Sequence, residues 1–185
     1  MAKGAFPGFP AKSLRTGVGA SIVFILKQVK HGVLIILLAE DTPDDVLLLQ
    51  HAFQKAGVAH RLEVVCDGME AMEYLNGENA YADREQHPFP EVLLLDLNMP
   101  RMNGFEVLEQ VRREPRYSRL LIHVLTASSR EADVQRAYDL GANSYVLKPS
   151  RVSDLTAFAS ALNQWHQFVC LPRYPCEKAE VQRRF

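Results

Sequence analysis

The chain has 185 residues, 48% hydrophobic and 23% charged, enough for one domain with a substantial buried core and too apolar for wholesale disorder. A formal net charge of -1 leaves no basic surplus for wrapping DNA or RNA, so no nucleic-acid partner is expected. The three cysteines, Cys66, Cys170 and Cys176, show neither zinc-type spacing nor a CxxC pair, which suits a reducing, cytoplasmic location.

The first ~30 residues carry Lys3, Lys12, Arg15, Lys27 and Lys30 before any acidic residue, and residues 17–26 have the look of a short apolar signal segment. No small-x-small cleavage pattern follows, and the segment is too short to span a bilayer, so no membrane partner is expected. Residues 1–31 read as an N-terminal extension, flexible because Gly4, Gly8, Gly17 and Gly19 weaken helix formation.

From residue 33 onward, short apolar runs alternate with stretches of helical periodicity. The runs are 33–39, 62–66, 92–95, 120–125 and 144–147; the first, third and fourth are nearly continuous, as in strands covered on both faces of a parallel sheet. Cys66, within the second run, reads as a small buried hydrophobe. The amphipathic stretches are 43–56, 68–75, 104–113, 130–140 and 151–168. In the first of them Val46, Leu49, Phe53 and Ala56 form one stripe, Pro43 suits the first turn, and Gly57 suits the stop. Residues 76–90, with Gly77, Pro88 and Pro90, form an unusually long connection that should carry family-specific surface. Five strands alternating with five helices predict an α/β fold, a doubly wound five-stranded parallel sheet over residues 32–170. Residues 171–185, with Pro172 and Pro175, read as an irregular C-terminal tail.

Ligands of such sheets sit at the carboxyl ends of the strands, at the point where strand order reverses. Those ends carry Glu40 and Asp41, then Asp96 followed by Asn98, then Thr126, then Lys148 and Pro149. Three crowded carboxylates repel one another unless a cation joins them, and a hard divalent ion, Mg²⁺, suits an all-oxygen set. Lys148 adds a positive charge for a phosphoryl oxygen, and Thr126 a neutral donor. Phosphoryl transfer needs little more than this, because it runs on positioning and charge neutralisation. Asp96 would attack phosphorus as a carboxylate nucleophile. Each piece alone is ordinary, since a Glu-Asp pair commonly prepares a helix start and a Lys-Pro pair is usually a loop. Their joint occurrence at successive strand ends is what points to chemistry.

In the motifs LLAED, LLLDLNMPRMNG, LTAS and SYVLKPS, in that order, the chain resembles the response-regulator receiver family of two-component signalling. The resemblance spans most of the chain and implies the flavodoxin-like receiver fold. It implies that Glu40 and Asp41 are the acidic pair, with Asp41 the closer metal ligand. It makes Asp96 the phosphorylation site and a metal ligand, and has Asn98 lend a backbone carbonyl to the metal. Thr126 and Lys148 would contact the phosphoryl group, and the Lys148–Pro149 bond would be cis. Tyr145 matches the switch aromatic that turns inward as Thr126 moves toward the phosphoryl group. The implied role is that of a signalling phosphoacceptor rather than an enzyme: a sensor histidine kinase loads Asp96, and output is a protein contact or onward phosphorelay. Within the family, the 76–90 loop and the end of the last helix look like the single-domain regulators that partner bacterial and cyanobacterial phytochrome kinases. That likeness, with Phe158, Leu162, Trp165 and Val169 spaced along the last helix, implies a homodimer, though the same stripe would equally serve a helix packing on the sheet. Two other classes share parts of the pattern. A flavodoxin-type FMN carrier needs a Ser/Thr/Gly-rich phosphate loop where Glu40 and Asp41 stand. A haloacid-dehalogenase-type phosphatase needs an acidic residue where Asn98 stands.

Overall fold

The computed structural model describes residues 33–169; the expected extension, tail and two later cysteines lie outside the described residues. Ten regular elements alternate along them: β1 (Leu34–Ala39), α1 (Pro43–Lys55), β2 (His60–Val65), α2 (Gly68–Asn76), β3 (Val92–Leu95), α3 (Gly104–Arg113), β4 (Leu121–Thr126), α4 (Glu131–Asp139), β5 (Ser144–Leu147) and α5 (Val152–His166). All strand pairs are parallel, and the order across the sheet is β2-β1-β3-β4-β5. The chain winds one way from β1 to β2 and the other way from β3 onward, so the reversal falls between β1 and β3.

The alternation of side chains along each strand sorts the core into two layers. Leu34, Ile36 and Leu38 of β1 pack with Leu49 and Phe53 of α1 and with Ala159 and Leu162 of α5. Leu37 and Ala39 pack on the opposite face with Ala71 of α2 and Val107 of α3. Burial on both faces is why β1 and β3 are apolar throughout and β4 is broken only by His123 and Thr126, whereas the edge strands β2 and β5 are mostly part-exposed.

Helix ends follow local chemistry. Pro43 opens α1 with Asp44 and Asp45 in its first turn, and Gly57 follows its end at φ +64°. Asn103 caps α3 by accepting the amides of Phe105 and Glu106, while the Glu106 carboxylate accepts the Asn103 amide. The long connection after α2 is folded onto the domain by Arg84, whose guanidinium donates to the carbonyls of Tyr74 and Leu75 at the end of α2.

Two expectations are corrected. Cys66 is exposed rather than buried, because β2 ends at Val65 and the chain already turns toward the Asp67 cap of α2. No cis peptide occurs among the described residues, so Lys148–Pro149 is trans. Trans is the lower-energy form of an X–Pro bond by about 0.5–1 kcal/mol, and from it the Lys148 side chain already reaches its partners.

His123 of β4 carries a testable consequence of packing. Its Nδ1 lies 2.7 Å from Ser144 Oγ and its ring meets Trp165 of α5 edge-on, while Nε2 is buried without a partner. Burial therefore holds the imidazole below its ordinary pKa of 6.5. The folded state then binds fewer protons than the unfolded one, so this contribution is complete above pH 6.5 and is lost as pH falls through the lowered folded value. Thermal midpoints measured from neutral to acid pH should fall below that point, and less steeply in His123→Leu. Parallel profiles would show that His123 is not the group responsible.

Candidate functional site

The site is built on the carboxyl ends of β1, β3, β4 and β5, at the reversal of strand order. Glu40 and Asp41 follow β1, Asp96 follows β3, Thr126 ends β4, and Lys148 follows β5. Glu40, Asp41 and Asp96 each offer a carboxylate oxygen within 4.8 Å of the others. Glu40 and Asp96 are buried and Asp41 is exposed.

Asp96 is held from two sides. Its Oδ1 accepts the amides of Leu97 at 2.6 Å and Asn98 at 3.3 Å, and its Oδ2 accepts Lys148 Nζ at 2.8 Å. Its own carbonyl is covered by Gly104, where an added Cβ would lie 2.2 Å from that oxygen. The close approach of the first residue of α3 is thus what seats the loop.

Lys148 Nζ meets three carboxylates: Glu40 at 2.6 Å, Asp96 at 2.8 Å and Asp45 at 2.9 Å. Burial alone would lower the lysine pKa, but the hydrogen bonds that Lys148 donates to Asp96, Glu40 and Asp45 outweigh it and hold the ammonium above the ordinary lysine range. Glu40 is pushed up by burial, an effect its pairing with Lys148 only partly offsets. Asp45, on the first turn of α1, was not among the residues expected from the sequence. In the sequence it is only one of two acids in a helix's first turn, where such residues are common.

Thr126 is fully buried, and its Oγ1 accepts the Ser128 amide at 3.4 Å. The Tyr145 hydroxyl donates to the Ser128 carbonyl at 2.9 Å, while its ring packs against the core. The expected switch pair therefore meets at Ser128, whose own hydroxyl donates to Asp133 of α4. Asn98 is exposed at the site's rim, and Pro149 lines a small cleft with Asp45 and Lys148.

A second anchor escaped the sequence reading. Asp67, 2% exposed, caps α2 through the Glu70 amide and binds the Arg101 guanidinium in the loop after Asp96. Arg101 takes φ +61°, a left-handed backbone rarely adopted by a side-chain-bearing residue, and this ion pair helps hold it there.

This arrangement has known counterparts. The model of the response regulator receiver domain matches residues 36–160. The chain belongs to this family. The response regulator Rcp1 of Synechocystis is 35% identical over 139 residues, covering 75% of this chain and 92% of Rcp1. The crystal structure of the phosphorylated cyanobacterial phytochrome response regulator RcpA superposes with a TM-score of 0.70 at 35% identity, covering 77% of this chain and all of RcpA. The Mn²⁺-bound form of Rcp1 gives 0.67 at 35% identity, over 75% of this chain and 99% of that one. As a receiver, the chain carries its acidic cluster and lysine on the flavodoxin-like scaffold common to its family.

Proposed function

We propose that Asp96 is the phosphoacceptor of this response regulator and that a sensor histidine kinase is its donor. The observation that carries the reading is Asp96 itself: a buried carboxylate with one oxygen fixed by two backbone amides and the other by Lys148. In the transfer, an Asp96 oxygen forms a bond to phosphorus while the bond from phosphorus to the kinase imidazole nitrogen breaks. The electron pair leaves with that nitrogen. Lys148 donates to the phosphoryl oxygens, and Thr126 offers its hydroxyl.

The donor set fits a hard divalent cation. Of the three convergent carboxylates the two buried ones, Glu40 and Asp96, share Lys148 while Asp41 is not paired with it, and oxygen-only ligands suit Mg²⁺ or Mn²⁺. Asp41, Asp96 and the Asn98 carbonyl would hold Mg²⁺, with Glu40 beside them. When bound, the ion neutralises charge on the phosphoryl oxygens. That one relative was crystallised with Mn²⁺ supports a divalent site here.

The new negative charge on Asp96 draws the Thr126 hydroxyl toward it, and Tyr145 follows because both are tied to Ser128. The output is a protein contact or onward phosphorelay rather than turnover of a substrate, in a cytoplasmic setting. Among the described residues no helix is long and apolar enough to cross a membrane. A phytochrome-type kinase is the proposed partner, supported by the similarity to the cyanobacterial phytochrome response regulator RcpA. A homodimer is part of the reading, although Leu162 is buried and Phe158 packs on the core. Leu147, Trp165 and Phe168, at 50%, 38% and 76% exposure, are among the exposed apolar groups and would meet a second copy. Phosphotransfer from purified autophosphorylated histidine kinases, phytochrome-type ones included, tests the reading. Rapid label transfer from a kinase to the wild type is expected, and none to Asp96→Asn. Failure with every kinase and with small-molecule donors alike would overturn it.

A further inference from the structure

The lysine at the site has a partner that the phosphoacceptor reading leaves without a role. An ammonium has three N–H donors, and in Lys148 these face three carboxylates, those of Glu40, Asp96 and Asp45. A phosphoryl group on Asp96 needs Lys148 as well, so one existing partner must yield. The three are not equal. The Glu40 and Asp96 side chains are only 2% and 7% exposed, whereas Asp45 is 38% exposed. A buried carboxylate that loses its cation has no water to replace it, while Asp45 can be resolvated at once. Asp45 also lies in the first turn of α1, where the helix N-terminus favours negative charge whether or not Lys148 is bound.

We propose that Asp45 is a positioning residue for phosphoryl capture: it parks the third N–H of Lys148 over the site and releases it to the incoming phosphoryl group. The proposal rests on the reading of Asp96 as phosphoacceptor and adds a residue to it. Asp45 competes with the phosphoryl group for Lys148, so it weakens capture. It also adds negative charge beside Glu40, Asp41 and Asp96, so it strengthens binding of a divalent cation. The two effects have opposite signs, which separates them from a loss of folding.

The test uses the full chain and two probes, Mg²⁺ alone and beryllofluoride at saturating Mg²⁺, titrated calorimetrically. Asp45→Asn should bind beryllofluoride about threefold more tightly and Mg²⁺ about threefold more weakly, the scale of a partly exposed ion pair. Asp44→Asn removes the same charge from the same turn, at an exposed position with no contact to Lys148, and should shift both constants by less. Beryllofluoride affinity unchanged or weakened in Asp45→Asn would overturn the proposal, as would equal shifts in Asp44→Asn. A wild type that binds no beryllofluoride would instead overturn the phosphoacceptor reading, and this one with it.

Discussion

Replacing Asp41 by asparagine is expected to leave the domain folded and to cut Mg²⁺-dependent phosphoryl loading by about a hundredfold or more, the scale of losing one preorganised charge contact. Asp41 is the exposed member of a trio whose other two carboxylates, Glu40 and Asp96, are buried and already share Lys148. It is therefore the carboxylate left for a cation arriving from solvent. Nothing in the core depends on it, and its removal relieves repulsion among three close carboxylates. The thermal midpoint without metal should hold or rise while Mg²⁺ affinity collapses. Calorimetric titration and a loading time course check both halves, and loading at the wild-type rate would refute the metal assignment.

The second large effect is structural. Gly104→Ala should destabilise the domain by about 3 kcal/mol or more and lower its midpoint by roughly 10 °C. Alanine is the better helix former by up to about 1 kcal/mol, so propensity alone predicts the opposite sign. The clash wins because the new Cβ would lie 2.2 Å from the Asp96 carbonyl oxygen and 2.8 Å from Leu97 Cα, both backbone atoms of the phosphoacceptor loop. Neither can swing aside as a side-chain tip would. The same displacement would move the carboxylate away from the amides of Leu97 and Asn98, so loading should fall with stability. Calorimetric unfolding of both proteins decides it; an unchanged midpoint would mean that the loop yields freely.

Much of this architecture is legible in the sequence because its strongest signals are local. The unbroken apolar runs announce strands buried on both faces, and the expected bounds of α3, 104–113, are those observed. The start of β2 was missed by two residues: His60 and Arg61 are polar, and only pairing with Leu34 and Ile35 makes them strand. Cys66 was misjudged for the converse reason, since an apolar neighbourhood in sequence says nothing of where a strand stops. In the site, residues directly after strands could be assigned from position, because the sheet fixes where strands end. Asp45, Ser128 and Asp67 could not. Each acts through a partner far along the chain or through a backbone group, and a lysine 103 residues from Asp45 leaves no local trace. The trans bond at Lys148–Pro149 shows the limit of resemblance alone.

Intact-protein mass spectrometry after incubation with Mg²⁺ and acetyl phosphate tests the central claim most directly, with wild type and Asp96→Asn side by side. Wild type should gain the mass of one phosphoryl group, removable by hydroxylamine as an acyl phosphate must be, and Asp96→Asn should gain none. A folded wild type that stays unmodified, or an Asp96→Asn variant modified to the same extent, would contradict the assignment of Asp96 as the phosphoacceptor.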